Sequence, residues 1–442
     1  MKSVVKIWWW ALAIKLVLAA LIPLSEDEAY YWVWSKHLQW SYFDHPGMVA
    51  WLFWLGHFFE PLGQAVRWPS VIMGHLTLLI WIFILKKWLP GEDLQNKSRY
   101  WLWLALSSPM IGFGSLLATP DVPVIFFWSL ATFFVGEILA RQRPRDYLFL
   151  GVSLGLGFCS KYHIVLFILS LVLWLLLERR WKEISLRGLM LTVLAGAVCS
   201  FPVIWWNYKN GFQSFRYQLD HGFGDTHWEF FWTYSYLLGQ VLLLGPITLW
   251  MAAKAKPGSG FRFLIYTAWC PLGFFVLSSF RGTAEVNWPI VAYPAVYALA
   301  VFASTQLKYL WWTILPWAAL AIAVLAQTFF PYTNQFPDRI SETHHFDQIL
   351  PLVKTYSPIY YGNYQMASRV WYEYKTPTKK LYQINRHDLF DEMQQGPAEE
   401  SHFYVAKESW VSWPAWMTEE KYQISKVLEI PPKFTFYEVT KK

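Results

Sequence analysis

Charge is what this chain has least of. Only 15% of its 442 residues are Asp, Glu, Lys or Arg, while 55% are hydrophobic. A soluble chain of this length carries more charge and less tryptophan, which argues against a water-soluble globular protein. Cysteine is scarce as well. Cys159, Cys199 and Cys270 all lie inside apolar runs, which argues against a disulfide framework and leaves the redox compartment open. Dedicated metal-ligand spacing is also missing. The formal charge of +7 does not make a nucleic-acid footprint, because the basic residues sit in short loops between apolar runs.

Aromatic residues are abundant: 30 Trp, 25 Tyr and 33 Phe, as in a membrane protein with interfacial aromatic belts. A bilayer core needs about 20 apolar residues per helix. Eleven segments qualify: 7–24, 67–88, 100–117, 121–140, 147–160, 162–178, 187–206, 231–252, 262–280, 288–304 and 309–328. The segment 147–160 is short and glycine-rich (GVSLGLG). Lys2 and Lys6 before an apolar stretch resemble a signal peptide. The acidic, aromatic sequence after Pro23 lacks a small-residue cleavage site, so an uncleaved first span is expected.

With the N-terminus in the cytoplasm, 17 Lys and Arg residues fall in inner loops against 6 in outer loops before the C-terminal region. The outer side then holds the acids at 26–28, FDHPG (43–47), TPD (119–121), SKYH (160–163), the loop 207–230, RGTAEVNWP (281–289) and everything after 330. That last stretch has shorter apolar runs broken by proline and charge. A helix is predicted at 341–356 with Ser341 as N-cap, a strand at 357–362 and a helix at 364–374. Further strands are predicted in KLYQIN, HFYVAK, YQISKVLEI and FTFYEV. The domain reading is a transmembrane module over 1–330, including interfacial helices of the first outer loop (25–65), and a small α/β domain over 331–442 on the outer face.

Carboxylates at a membrane boundary are costly and call for a reason. Ser25 and Glu28 fit a capping box opening the helix EAYYWVWSKHL. Asp27 is not used by that box and is a candidate general base or cation ligand. Tyr30, Tyr31, Trp32 and Trp34 would set the helix in the interface, and the rings could also stack on a sugar. Asp44 and His45 precede a turn at Pro46–Gly47, where an imidazole could bind phosphate or shuttle a proton. Asp121 either starts a helix, favoured by the dipole, or is a second carboxylate facing the same cleft. Lys161 either snorkels from a short hairpin or binds phosphate. Arg281, Glu285 and Asn287 stand at the entrance of another span, and Arg281 with Glu285 could be an i,i+4 pair. Taken together, these acids and bases on one side of an apolar bundle suit a lipid-phosphate substrate: cations hold the phosphate and carboxylates handle hydroxyls.

SEDEAYYWVWS, YFDHPGMVAWL, TPDVPVIFFWSL, GLGFCSKY and EVNWPIVAYP occur in that order. Over residues 1–330 they resemble the bacterial branch of the dolichyl-phosphate-mannose protein mannosyltransferase family, which is similar to the lipid A aminoarabinose transferases. The resemblance implies a GT-C fold of about eleven transmembrane helices in a bacterial inner membrane. It implies a polyprenyl-phosphate sugar donor used on the outer side, and a lipid A, glycan or protein acceptor. It makes Asp27 the essential acid, with Glu28 beside it and Asp121 as the second outer carboxylate. Lys161 matches the family lysine after the glycine-rich span, and Arg281 matches a phosphate ligand. The aminoarabinose transferases carry Lys-Pro in the first loop; this chain has His45–Pro46, then Gly47 where a second proline is common. Inverting displacement with His45, Lys161 and Arg281 on the phosphate is implied; a divalent cation is compatible with it, and no cofactor is assigned.

Three rivals remain. A transporter or flippase for a lipid-linked sugar would place charge near the midplane and show internal repeats; here charge clusters on one side and no repeat is evident. An O-antigen ligase or polymerase would carry a large Arg-rich outer loop, whereas 207–230 holds Lys209 and Arg216 with His221 and His227. A non-catalytic scaffold would leave the side-sharing of Asp27, Asp121 and Lys161 as coincidence.

Overall fold

The computed structural model describes residues 1–88, 93–224, 227–258, 262–330, 349–394, 396–431 and 434–442. The helices are α1 (Lys2–Leu21), α2 (Glu26–Lys36), α3 (Met48–Gly56), α4 (Trp68–Trp88), α5 (Leu94–Ser107), α6 (Asp121–Arg141), α7 (Pro144–Phe158), α8 (Val165–Leu177), α9 (Leu186–Lys209), α10 (Gln213–Phe223), α11 (Phe230–Leu244), α12 (Pro246–Ala253), α13 (Phe263–Ser278), α14 (Tyr293–Ala303), α15 (Trp311–Phe329), α16 (Tyr364–Tyr374) and α17 (Leu389–Gln394). All eleven apolar segments are wholly or largely helical. Among the described residues, 5 helical stretches are long and apolar enough to cross a membrane, or up to 6 if a bent pair counts as one span; three shorter apolar helices accompany them.

Two predicted spans are interrupted. The segment 100–117 stops being α-helical at Ser107. Pro109 has no amide to donate, and the Ser108 hydroxyl accepts from the amide of Ile111, so the chain turns through short π and 3-10 stretches instead. The segment 231–252 is two helices meeting at 89°. Gly245 has φ 78°, a conformation glycine tolerates, and Pro246 starts the next helix at a position that needs no amide.

The chain forms two compact units, Met1–Leu21 with Asp44–Ala323, and Ile22–Phe43 with Val324–Lys442. In the first, α14 runs through the core: every residue from Tyr293 to Val301 is buried. Its polar tips are satisfied. The Tyr297 hydroxyl lies 2.8 Å from Ser108 Oγ, and Trp101 Nε1 donates to the carbonyl of Pro294 at 3.1 Å. The glycine-rich segment is a helix contact. Gly151 and Gly155, one turn apart on α7, press against α9. A Cβ on Gly151 would come within 2.3 Å of Thr192 O, and one on Gly155 within 2.6 Å of Gly196 O. Small residues at this spacing let membrane helices pack backbone to backbone.

The second unit is built on a five-stranded sheet, β1 (Ile359–Tyr361), β2 (Lys379–Lys380), β3 (His402–Glu408), β4 (Tyr422–Ile430) and β5 (Phe434–Lys441), in the order β2-β1-β3-β5-β4. β1 pairs parallel with β2 and β3, and the other pairs are antiparallel. The predicted helix at 364–374 is α16, with Asn363 accepting from the amide of Met366 as N-cap. Of the predicted helix at 341–356, residues 341–348 with Ser341 lie outside the described residues, and 349–353 are helical. KLYQIN is not a strand beyond Lys380. The chain turns there around a buried ammonium: Lys380 Nζ lies 2.7 Å from Asp388 Oδ2 and 2.7 Å from Asp391 Oδ2, and also donates to the carbonyl of Arg386 at 3.1 Å.

The aromatic helix α2 differs most from expectation. Its rings do not lie open in an interface. Tyr30, Tyr31, Trp32 and Trp34 are 2%, 8%, 2% and 0% exposed. Tyr30 packs on Tyr364 at 4.3 Å, Trp32 on Tyr372 at 5.2 Å, and Trp34 stacks on Tyr42 at 3.9 Å. Arg369 of α16 donates to the carbonyl of Leu24 and pairs with Glu373 at 2.8 Å. An aromatic face buries as well against protein as against lipid, and α16 supplies the protein.

Candidate active site

In the first unit the polar residues converge on the start of α6. Asp121 occupies its first turn, where a carboxylate complements the helix dipole. Oδ1 accepts from Lys161 Nζ at 2.6 Å, and Oδ2 accepts from Asn287 Nδ2 at 2.9 Å. The Lys161 and Asp121 side chains are 7% and 14% exposed, so the pair is largely out of water.

Local sequence explains how Lys161 arrives there. α7 ends at Phe158, and the amides of Ser160 and Lys161 both donate to the carbonyl of Gly157 at 3.0 Å. Gly157 is needed at this reversal, since a Cβ would come within 2.8 Å of the Ile164 side chain. Lys161 leaves the turn in an extended conformation. The hairpin is fastened to the FDHPG loop, because the amide of Met48 donates to Cys159 O at 3.0 Å. The loop is held from its other side, where Gln218 Nε2 donates to Asp44 O at 2.7 Å. Tyr162 anchors the hairpin, with its ring between Phe158 and Phe215 (5.1 and 5.0 Å) and its hydroxyl 2.9 Å from Ser214 Oγ.

Of the site residues read from the sequence, the fold brings Asp121, Lys161 and Asn287 into contact. His45 and Asp44 belong to the loop fastened beside them; Asp44 is buried and His45 half-buried. Among the described residues, neither Arg281 nor Glu285 forms an ion pair with this cluster. Both are exposed, residues 281–287 are not helical, and among the described residues no ion pair within 4.0 Å joins them. The i,i+4 pair is therefore absent. Sequence reasoning passed over His163, although it lies two residues from Lys161 in the same SKYH stretch. Its ring packs against Phe275 at 5.1 Å and Trp288 at 5.9 Å, and it lies within electrostatic reach of Lys161 and His45. His221 joins the same aromatic group, 5.4 Å from Trp288.

The acids of the first outer loop belong to the second unit. Glu28 is buried and closes the capping box. Its Oε2 accepts from the Ser25 amide at 3.0 Å, while the Glu28 amide donates to Ser25 Oγ at 3.2 Å. Asp27, one residue earlier, is exposed on the first turn of α2. Tyr30 is fixed by its hydroxyl, which accepts from the amide of Leu389 at 3.0 Å. Beyond it, Glu392 raises the His387 imidazole above its usual range, against the opposing effect of burial. Burial raises the Asp388 carboxyl, with Lys380 opposing. Among the described residues no group of three or more His, Cys, Asp or Glu gathers in a metal-binding arrangement.

The class follows from the whole chain. It superposes on ArnT from Cupriavidus metallidurans bound to undecaprenyl phosphate with a TM-score of 0.66, covering 98% of this chain and 97% of that one at 14% identity. The fold is thus GT-C, with a small C-terminal sheet region. Residues 44–206 match the family model for dolichyl-phosphate-mannose-protein mannosyltransferase, as the motifs suggested. The lipid A galacturonosyltransferase RgtD of Rhizobium johnstonii is 25% identical over 330 residues, 71% of this chain and 67% of that protein. The undecaprenyl phosphate-alpha-4-amino-4-deoxy-L-arabinose arabinosyl transferase of Edwardsiella ictaluri is 26% identical over 317 residues. That match spans 62% of this chain and 55% of the relative, little more than half its length.

Proposed function

We propose that the protein is a membrane-embedded inverting glycosyltransferase. It moves a sugar from a polyprenyl-phosphate donor to a hydroxyl of a lipid, glycan or protein acceptor on the extracytoplasmic face of a bacterial inner membrane. The single observation that carries the reading is the buried Lys161, aimed by Asp121 and Asn287 in a fold shared with a protein that binds undecaprenyl phosphate. The asymmetry of basic loops supports a cytoplasmic N-terminus and an extracytoplasmic region after residue 330.

In this reading the acceptor oxygen attacks the anomeric carbon opposite the phosphate. Asp27 takes the hydroxyl proton. The bond from the anomeric carbon to the phosphate oxygen breaks, and its electron pair leaves with polyprenyl phosphate. The transition state has oxocarbenium character, as in glycoside hydrolysis. A phosphate leaving group needs no proton but needs cations, and Lys161, His45 and Arg281 supply them. Asp121 already accepts from Lys161 and Asn287, so its role is to position the ammonium rather than to act as base. Glu28 fixes the helix end that carries Asp27, while Asp44, Tyr30, Tyr31, Glu285 and Asn287 shape the surroundings of the substrates. His45–Pro46–Gly47, in place of the aminoarabinose pattern, favours another sugar. The galacturonosyl relative makes a uronic acid the first donor to try.

The test is transfer from a radiolabelled polyprenyl-phosphate sugar to a cell-envelope extract by the purified protein and by Asp27→Asn. Label should move with the native chain alone. Equal transfer by Asp27→Asn would remove Asp27 from the chemistry. Movement of the lipid between leaflets without transfer would instead favour a flippase.

A further inference from the structure

α6 has a second end. Asp121 begins this helix of 21 residues, which finishes about 30 Å away at Arg141. Beside that far end, between α6, α7, α8 and α9, lies a cavity of about 580 Å³. Its wall is almost entirely hydrocarbon, from residues such as Val135, Leu150, Leu171, Leu175 and Leu189, and its rim includes Lys182 and Trp181. The volume is within the range of about 300–1,000 Å³ that small-molecule sites occupy. Nothing in the proposed chemistry uses it.

Lys182 is the cation on the rim, and the connections beside it carry more. The α6–α7 and α8–α9 connections meet here: Gln142 donates to the carbonyl of Glu183, and the Tyr147 hydroxyl accepts from the amide of Ser185 at 2.9 Å. Some of the cations in these connections are neutralised, as Arg180 is by Glu183 at 2.6 Å. Others are not. Among the described residues Arg143, Arg179, Lys182 and Arg187 have no carboxylate within 4.0 Å, and the Lys182 ammonium lies 5.5 Å from the centre of the Trp181 ring. An apolar cavity with Lys182 on its rim, and further cations in the adjoining connections, matches one kind of molecule: an apolar tail with an anionic head.

We propose that this cavity holds an acyl chain of one anionic phospholipid, with Lys182 and its neighbours on the headgroup phosphate. Basic pockets between membrane helices select anionic headgroups by the same electrostatics. The site stands apart from Asp121 and Lys161 and does not depend on the sugar-transfer reading.

Native mass spectrometry of the full chain in detergent tests it, titrating phosphatidylglycerol against phosphatidylcholine with identical acyl chains. One phosphatidylglycerol should be retained at least about tenfold more tightly than phosphatidylcholine. Lys182→Ala should weaken phosphatidylglycerol about fivefold and leave phosphatidylcholine unchanged. Leu189→Trp, at a half-open position, should fill the cavity and weaken both. Millimolar inorganic phosphate should fail to displace the lipid. Equal retention of the two lipids, or native affinity in both variants, would overturn the proposal. Lys182 is on the surface, so its variant gives an answer even if the tryptophan is not tolerated.

Discussion

Replacing Asp121 with leucine removes the carboxylate from an ammonium that has almost no access to water. Lys161 Nζ sits 2.6 Å from Asp121 Oδ1, with side-chain exposures of 7% and 14%. Removing one partner of a buried pair strands the other charge and costs about 3–5 kcal/mol. The bond from Asn287 to Oδ2 goes too, adding about 1 kcal/mol. Replacing both members, Asp121→Leu with Lys161→Met, strands no charge, and such swaps are neutral to stabilising by about 1–4 kcal/mol. The double variant should therefore be more stable than either single variant. Thermal unfolding in nanodiscs reads this order directly. Activity should not follow stability: without the Lys161 cation, transfer should fall about 10²–10³-fold in the double variant as well. Two results would refute the reasoning. If Asp121→Leu costs no more than the double change, the pair is not a buried ion pair. If the refolded double variant transfers sugar at the native rate, Lys161 does not hold the donor phosphate.

Three further outcomes follow from the same kind of argument. Lys380→Met leaves Asp388 and Asp391 buried face to face, at a cost of about 3–5 kcal/mol, and limited proteolysis should then cut after residue 330 while the apolar helices stay intact. His387 has a raised pKa in the folded chain, so its contribution to stability is full below about pH 6.5 and disappears as pH rises through the raised value. The gap in Tm between native and His387→Gln should accordingly close on going from pH 6 to pH 9; a constant gap would remove Glu392 as the cause. Gly155→Leu should separate α7 from α9, since even a Cβ there meets Gly196 O at 2.6 Å; an unchanged Tm would mean that the helices do not touch there.

The helices were legible because a membrane helix satisfies its own backbone hydrogen bonds, so its signature is local and long. The breaks at Ser108–Pro109 and Gly245–Pro246 are also written in the sequence, but averaging hydropathy over a span hides one proline. Asp121 and Lys161 stood out because charge beside apolar runs is rare. His163 did not, since a histidine in a short hairpin looks the same whether it faces solvent or packs on Trp288. The burial of Tyr30 and Trp32 was beyond local reading. Their partners Tyr364 and Tyr372 lie at the far end of the chain, and no pattern within 26–36 distinguishes a protein neighbour from a lipid one.

That distance has a consequence for how the protein is made. The carbonyl of Leu24 and the guanidinium of Arg369 that binds it are 345 residues apart. During synthesis α2 emerges long before α16 exists, so the aromatic helix bearing Asp27 must wait, unpacked, while the intervening membrane helices insert. A chain released early, at about residue 330, would contain all eleven apolar segments and still lack the helix against which α2 packs. Synthesis of α16 thus works as a checkpoint on assembly, and a copy that stops before it carries α2 without its packing partner.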